Sequence, residues 1–112
     1  MVEEQRTDQL FHALADTTRR DIVKRTMQAE YSVSALARCY PMSFAAVQKH
    51  VAVLERADLV RKQRRGREQV VRGNIDTIRT VYRLLDQLEA VWRSRMDRFG
   101  DVLAEENEGA KP

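Results

Sequence analysis

Apolar residues recur along this chain at helical spacing, and the periodic stretches are separated by residues that cap or stop helices. Leu10, Phe11 and Leu14 stand at i, i+1 and i+4 and predict a short amphipathic helix near residues 7–14. Asp16 suits the N-cap of a second helix, because its carboxylate can accept from the free N–H groups of the first turn. That helix would bury Ile22, Val23 and Met27, hold Arg19, Arg20, Lys24 and Arg25 outside, and end near Gln28. A third, short helix begins at Ser32 or Ser34 and turns Leu36 and Ala37 inward. Pro41 ends it, having no N–H to donate and biasing Tyr40 away from the helical region. Ser43 then caps a fourth helix whose Val47, Val51 and Leu54 face the core while Gln48, Lys49, Ala52, Glu55 and Arg56 point elsewhere. Asp58 stands where a helix often ends in glycine, a left-handed position that aspartate visits at some cost.

The periodicity changes after Asp58. Residues 59–64 and 68–72 read as two short strands around Arg65-Gly66-Arg67, with Gly66 supplying the positive φ of the turn. Both strands are too polar to be central, so they predict an exposed ribbon. Asn74 or Asp76 opens a last helix, along which Ile75, Ile78, Tyr82, Leu85, Trp92, Met96, Phe99 and Leu103 follow alternating 3–4 spacing, interrupted at Glu89. Such a helix is about 40 Å long, whereas a compact domain of this size has a radius of gyration near ~13 Å. An apolar stripe left uncovered invites a second copy of the chain. A homodimer is therefore expected, with Leu10, Phe11, Tyr82, Leu85, Trp92, Met96 and Phe99 at its interface.

The predicted fold is mainly α with a small β-hairpin: about five helices, the last one long and used for dimerisation. Residues 1–104 are expected to form a single domain, and 105–112 a flexible acidic tail. The 112 residues suffice for one modest core, and the single cysteine excludes an intramolecular disulfide framework. The first residues lack a basic region followed by an apolar run, and no stretch approaches the ~18 apolar residues of a membrane span. A cytoplasmic protein without membrane contact is expected.

Charge sharpens this picture through its placement. The whole chain carries only +3, yet residues 60–72 hold six basic side chains against Glu68 alone, a net of +5. Residues 101–112 carry Asp101, Glu105, Glu106 and Glu108 against Lys111, a net of −3. A concentrated basic segment on a near-neutral body is an electrostatic footprint for nucleic acid, although a solvated charged hairpin has the same composition.

Three blocks then carry a family likeness: residues 14–23 (LADTTRRDIV), 33–37 (VSALA) and 46–60 (AVQKHVAVLERADLV). Together with their spacing they resemble the ArsR-type bacterial winged-helix repressors over about residues 8–73. The resemblance implies a winged helix-turn-helix transcription factor, homodimeric through its first and last helices, that occupies a palindromic site on double-stranded DNA. Many members sense metals through a Cys-x-Cys pair before the turn; here the matching residues are Ala37-Arg38-Cys39, so the first thiol is missing. Others use histidines on the last helix, and residues 74–107 contain none. His12 and His50 lack ligand spacing. The likeness is therefore to the branch without metal motifs, and no metal or cofactor is expected. Thr17 stands where relatives often have proline, and Gln48 where many have serine; the second difference would change which base is read.

On this reading the recognition helix spans about 43–57 and the basic wing about 60–72. Ser43, Phe44, Ala45, Gln48 and Lys49 occupy the positions that reach base edges. Gln48 suits adenine, Lys49 a guanine or a phosphate, and Phe44 or Ala45 a thymine methyl. Arg64, Arg65 and Arg67 at the ribbon tip suit the minor groove or its phosphates, whereas His50 is assigned a structural role and Arg19 and Arg20 are open to salt bridges within the fold. No arrangement of nucleophile, base or paired carboxylates points to an enzyme. Two alternatives stay open: a protein-interaction module built on the same fold, and a thiol- or metal-responsive sensor using Cys39.

Overall fold

Helix caps written into the sequence set most element boundaries in the structure, a computed structural model that describes residues 3–109, with side chains over 4–106. The elements are α1 (Glu3–Leu14), α2 (Thr17–Gln28), β1 (Tyr31–Ser32), α3 (Val33–Ala37), α4 (Phe44–Arg56), β2 (Val60–Arg65), β3 (Glu68–Gly73) and α5 (Ile75–Gly109). Asp16 caps α2 by accepting from the Arg19 N–H at 3.0 Å, and Ser32 caps α3 by accepting from the Ala35 N–H at the same distance. Ser43 caps α4 through the Ala46 N–H at 3.1 Å. The short helix α3 closes at Ala37, three residues before Tyr40, so Pro41 shapes the turn rather than ending the helix itself.

The end of α4 shows how Asp58 is tolerated. Its φ is +60°, and the Asp58 N–H donates to Glu55 O while the Leu59 N–H reaches back to Leu54 O, each at 2.9 Å. That pair of bonds is a Schellman closure, which satisfies carbonyls the helix would otherwise leave free. Leu59 and Val60 then enter the core directly, both almost fully buried.

The sheet departs from the expected free ribbon. β2 and β3 pair antiparallel from Val60↔Gly73 to Arg65↔Glu68, and β1 adds a third strand on the other edge of β3. β3 is therefore central, which explains why Val71 is completely buried and Val70 nearly so. The turn holds Gly66 and Arg67, and Gly66 has φ +66° as the first central residue of a type II′ hairpin requires.

The core of the first unit gathers Leu10 and Ala13 from α1, Ile22 and Val23 from α2, and Leu36 from α3. Val47, Val51 and Leu54 from α4 and Leu59, Val60 and Val71 around the sheet complete it. Thr26 takes the buried place expected for Met27, its hydroxyl donating to Ile22 O at 2.8 Å, and Met27 is only half-buried. Leu10 is 1% exposed and so belongs to the protomer's own core. Its expected interface role is corrected accordingly: the inward side of α1 is Leu10 and Ala13, and Phe11 is the member of the pair left at the surface.

The chain divides into two compact units after Ile78, where one domain over 1–104 was expected. A long helix forms a unit of its own because its contacts run between successive turns. α5 continues to Gly109, past the point where the acidic tail was expected to leave it. Residues 110–112 of that tail lie outside the described residues. Among the described residues no helix is long and apolar enough to cross a membrane.

Candidate nucleic-acid interface

The N-terminal half of α4 presents Ser43, Phe44, Ala45, Gln48 and Lys49 to solvent, while Val47, Val51 and Leu54 bury the opposite side. Phe44 is 47% exposed and presents an apolar ring beside Gln48 on this face. The Ser43 oxygen caps α4 with one lone pair, which leaves its O–H free to donate and a second lone pair free to accept.

Between α4 and the wing runs a groove of about 200 Å³, lined by Ser32, Val33 and Ser34, by Phe44, Gln48 and Val51, and by Lys62, Arg67, Glu68 and Gln69. Strand alternation decides which wing residues face it. Lys62 and Gln69 point to the α4 side, where Lys62 Nζ lies 3.5 Å from Glu55. The opposite face carries Arg61, Gln63, Arg65, Val70 and Arg72 beside Glu30. Sequence reasoning grouped Arg64, Arg65 and Arg67 as one cluster; the structure separates them. Arg65 pairs with Glu30 at 2.9 Å, so its charge is answered on the outer face. Arg64 leans over the turn, its Nε donating to Gly66 O at 3.3 Å, and Arg67 lines the groove. Ser34 and Gln69 were not among the expected contacts, and Lys62 was expected only as a weaker one than the arginines at the ribbon tip. Counting by twos along β2 and β3 would have placed Lys62 and Gln69 on this face.

Three side chains brace the turn before α4. Asp21 accepts from the Tyr40 hydroxyl at 2.6 Å and from Arg25 Nε at 2.7 Å, and the Arg25 guanidinium sits 5.7 Å from the Tyr40 ring centre. The Tyr40 hydrogen bond and the Arg25 pair hold the Asp21 carboxyl below the usual carboxylate range. Burial, aided by the Asp21 charge, pushes the Tyr40 phenol well above its ordinary value. The Arg19 N–H bond likewise lowers Asp16.

Among the described residues Arg19 and Arg20 act through hydrogen bonds that close α1. Arg19 donates to Ala13 O at 2.7 Å and to His12 O at 3.1 Å, and its third nitrogen lies 3.3 Å from His50 Nδ1 on α4. Arg20 reaches Leu14 O at 2.8 Å. Cys39 is half-buried, with its Sγ 3.4 Å from Ala35 O. Among the described residues no group of three or more His, Cys, Asp or Glu is placed to hold a metal ion. On α5, Tyr82, Leu85, Trp92, Met96 and Phe99 are all exposed, with Trp92 at 56%.

No family model matches the chain. It is 38% identical over 92 residues to the HTH-type transcriptional regulator Rv2034 of Mycobacterium tuberculosis, a match covering 82% of this chain and 76% of that protein. It also superposes on the ArsR-like transcriptional regulator from Rhodococcus sp. RHA1 with a TM-score of 0.78 and 29% identity, over 88% of this chain and 93% of the other. The chain belongs to the ArsR family of transcriptional regulators. Its fold is the winged helix-turn-helix of that family: α3 and α4 form the helix pair, and β2 and β3 the wing. The same fold recurs in the Mycobacterium bovis domain Mb0332, described as a homodimeric winged helix-turn-helix DNA-binding domain. That match has a TM-score of 0.64 and 24% identity over 76% of this chain and 79% of the other.

Proposed function

We propose that this ArsR-family regulator represses transcription as a homodimer that binds a palindromic operator in double-stranded DNA. The observation that carries the reading is the exposed face of α4, with Phe44, Gln48 and Lys49, standing across a groove from the basic wing. An α-helix fits the major groove with its N-terminal residues at base edges, while a flanking ribbon meets the backbone or minor groove. Two copies would enter successive major grooves, so half-sites should sit about 10 bp apart. The homodimeric Mycobacterium bovis domain supports pairing, as does the exposed apolar stripe of α5.

Selection of bound sequences from a random DNA pool, followed by gel shift on the recovered site, tests the reading. A palindromic consensus is expected, and Gln48→Ala should relax preference at one position in each half-site. If each subunit neutralises about four phosphates, log K should fall against log salt with a slope of about −7. Binding indifferent to both sequence and salt would overturn the proposal.

A further inference from the structure

We infer that Tyr40, Asp21 and Arg25 are positioning residues for base reading: their brace fixes the roll of α4, and with it how sharply Gln48 tells one base from another. The inference rests on the reading of α4 as the helix that meets base edges, and adds the side chains that aim it. The core holds that helix along one line. Its buried residues are Val47, Val51 and Leu54, at i, i+4 and i+7, so they share a single stripe. A stripe of this kind resists displacement of the helix better than rotation about the stripe itself. Gln48 stands about a quarter turn round from Val47, with the end of its side chain about 8 Å from the stripe in a helix roughly 10–12 Å across. A roll of about 7° therefore moves the amide by about 1 Å, more than the roughly 0.5 Å range over which an N–H···O bond stays good. Phosphate contacts lose less, because lysine and arginine reach on long stems and phosphates carry no base sequence.

The chain that enters α4 has no core anchor of its own: no side chain of residues 37–46 is buried. It is held from outside. The Tyr40 hydroxyl donates to the Asp21 carboxylate on α2 at 2.6 Å, across 19 residues of sequence, and a bond of that length to an ionised acceptor is a strong, charge-assisted one. Arg25 Nε donates to the same carboxylate oxygen at 2.7 Å, and the Arg25 guanidinium lies 5.7 Å from the Tyr40 ring centre. Arg25 also hydrogen-bonds the Tyr31 side chain, and Tyr31 stands on β1 opposite Val71 of β3. The brace thus ties the turn both to α2 and to the sheet. Pro41 and Met42 alone separate Tyr40 from the Ser43 cap, and Pro41 has its φ locked, so the place of Tyr40 passes to the first turn of α4 with little slack. A tether on the entering chain opposes the rotation that the buried stripe leaves soft.

Base discrimination tests it, measured by gel shift as the ratio of affinities for the selected site and for that site changed at the base pair where Gln48→Ala loses preference. Tyr40→Phe keeps the ring and leaves Asp21 paired with Arg25, so folding should be retained, as far-UV circular dichroism would verify. Its discrimination should fall about fivefold, within the worth of one good base contact, while the salt slope and the affinity for random DNA stay those of the wild type. In a Gln48→Ala background Tyr40→Phe should cost no further discrimination, because nothing is left to aim. Asp21→Asn, which keeps an acceptor for the hydroxyl, should lose less than Asp21→Ala. Amide exchange in the free protein gives an independent reading: Tyr40→Phe should speed it at residues 42–46 and leave it unchanged at Val51 and Leu54. Unchanged discrimination in Tyr40→Phe, an equal loss when Gln48 is already alanine, or exchange raised evenly along α4 would overturn the inference and leave the operator reading standing. A wild-type chain that binds all sequences alike would overturn both.

Discussion

Removing the Arg19 guanidinium should destabilise the first unit without touching the face assigned to DNA. Arg19→Ala deletes two charge-assisted bonds that close the C-terminal end of α1, to Ala13 O at 2.7 Å and His12 O at 3.1 Å, and the approach to His50 Nδ1 at 3.3 Å. A hydrogen bond from a charged donor contributes about 1.5–3 kcal/mol when well made. The half-buried Ala13 bond merits the lower end of that range and the exposed His12 bond about 0.5 kcal/mol. The cation near a helix C-terminus adds about 0.3–1 kcal/mol. The His50 contact is long and needs the ring proton on Nε2, so it adds little. The expected loss is about 2–3 kcal/mol, a fall in Tm of about 10 °C for a domain of this size. Urea unfolding followed by circular dichroism measures it, at fixed protein concentration because association shifts apparent stability. At temperatures where the variant is folded, the salt slope of DNA binding should equal that of the wild type. A stability change below about 0.5 kcal/mol would refute the structural assignment, and a salt slope shallower by about 2 would add Arg19 to the DNA contacts.

Three further outcomes are expected. Asp58→Gly should stabilise the protein by about 0.5–1 kcal/mol, because the left-handed conformation at φ +60° costs glycine nothing and the Arg61–Asp58 contact it removes is a long, exposed one at 3.9 Å; a lower urea midpoint would contradict this. Asp16 and Asp21 both titrate below their ordinary values, so they contribute stability above the unfolded carboxylate value of about 3.9 and lose it as pH falls through the lowered folded values. The urea midpoint should therefore drop between pH 5 and pH 3, and drop less in Asp16→Asn, which keeps the cap but not the titration; equal drops would rule out Asp16. Arg67→Ala should weaken binding to all DNA sequences and flatten the salt slope by about 2 per dimer, whereas Arg65→Ala, already paired with Glu30, should change it less. Equal slopes for the two variants would show that the Glu30 pair opens on DNA.

What could be read in advance follows the range of the interactions involved. Asp16, Ser43 and Asp58 act on backbone groups within a turn of themselves, so a cap or a left-handed stop is visible in a few consecutive letters. The apolar side of α4 and the stripe of α5 are likewise local, set by 3–4 spacing. β1 was missed because two residues carry no period, yet its pairing makes β3 central and buries Val70 and Val71. The Arg65–Glu30 pair joins residues 35 apart and has no local signal at all. Leu10 illustrates a different limit: amphipathicity says that a residue is covered, not whether its own protomer or a second copy covers it. Within the candidate site, the outward face of α4 was legible and the division of the wing arginines between two faces was not drawn from the alternation that contains it.

The buried amide of Asn74 has a mechanical meaning. Both its hydrogens are committed, to Asp58 O and Thr77 Oγ1 at 3.0 Å each, and its oxygen accepts from the Asp76 N–H at 3.2 Å. Turning that side chain would strand buried polar atoms at about 1–3 kcal/mol each. It acts as a locked joint between Asp58, which ends α4, and the first turn of α5. Torque applied at the start of α5 is therefore transmitted to the tail of α4 instead of being absorbed in a soft elbow.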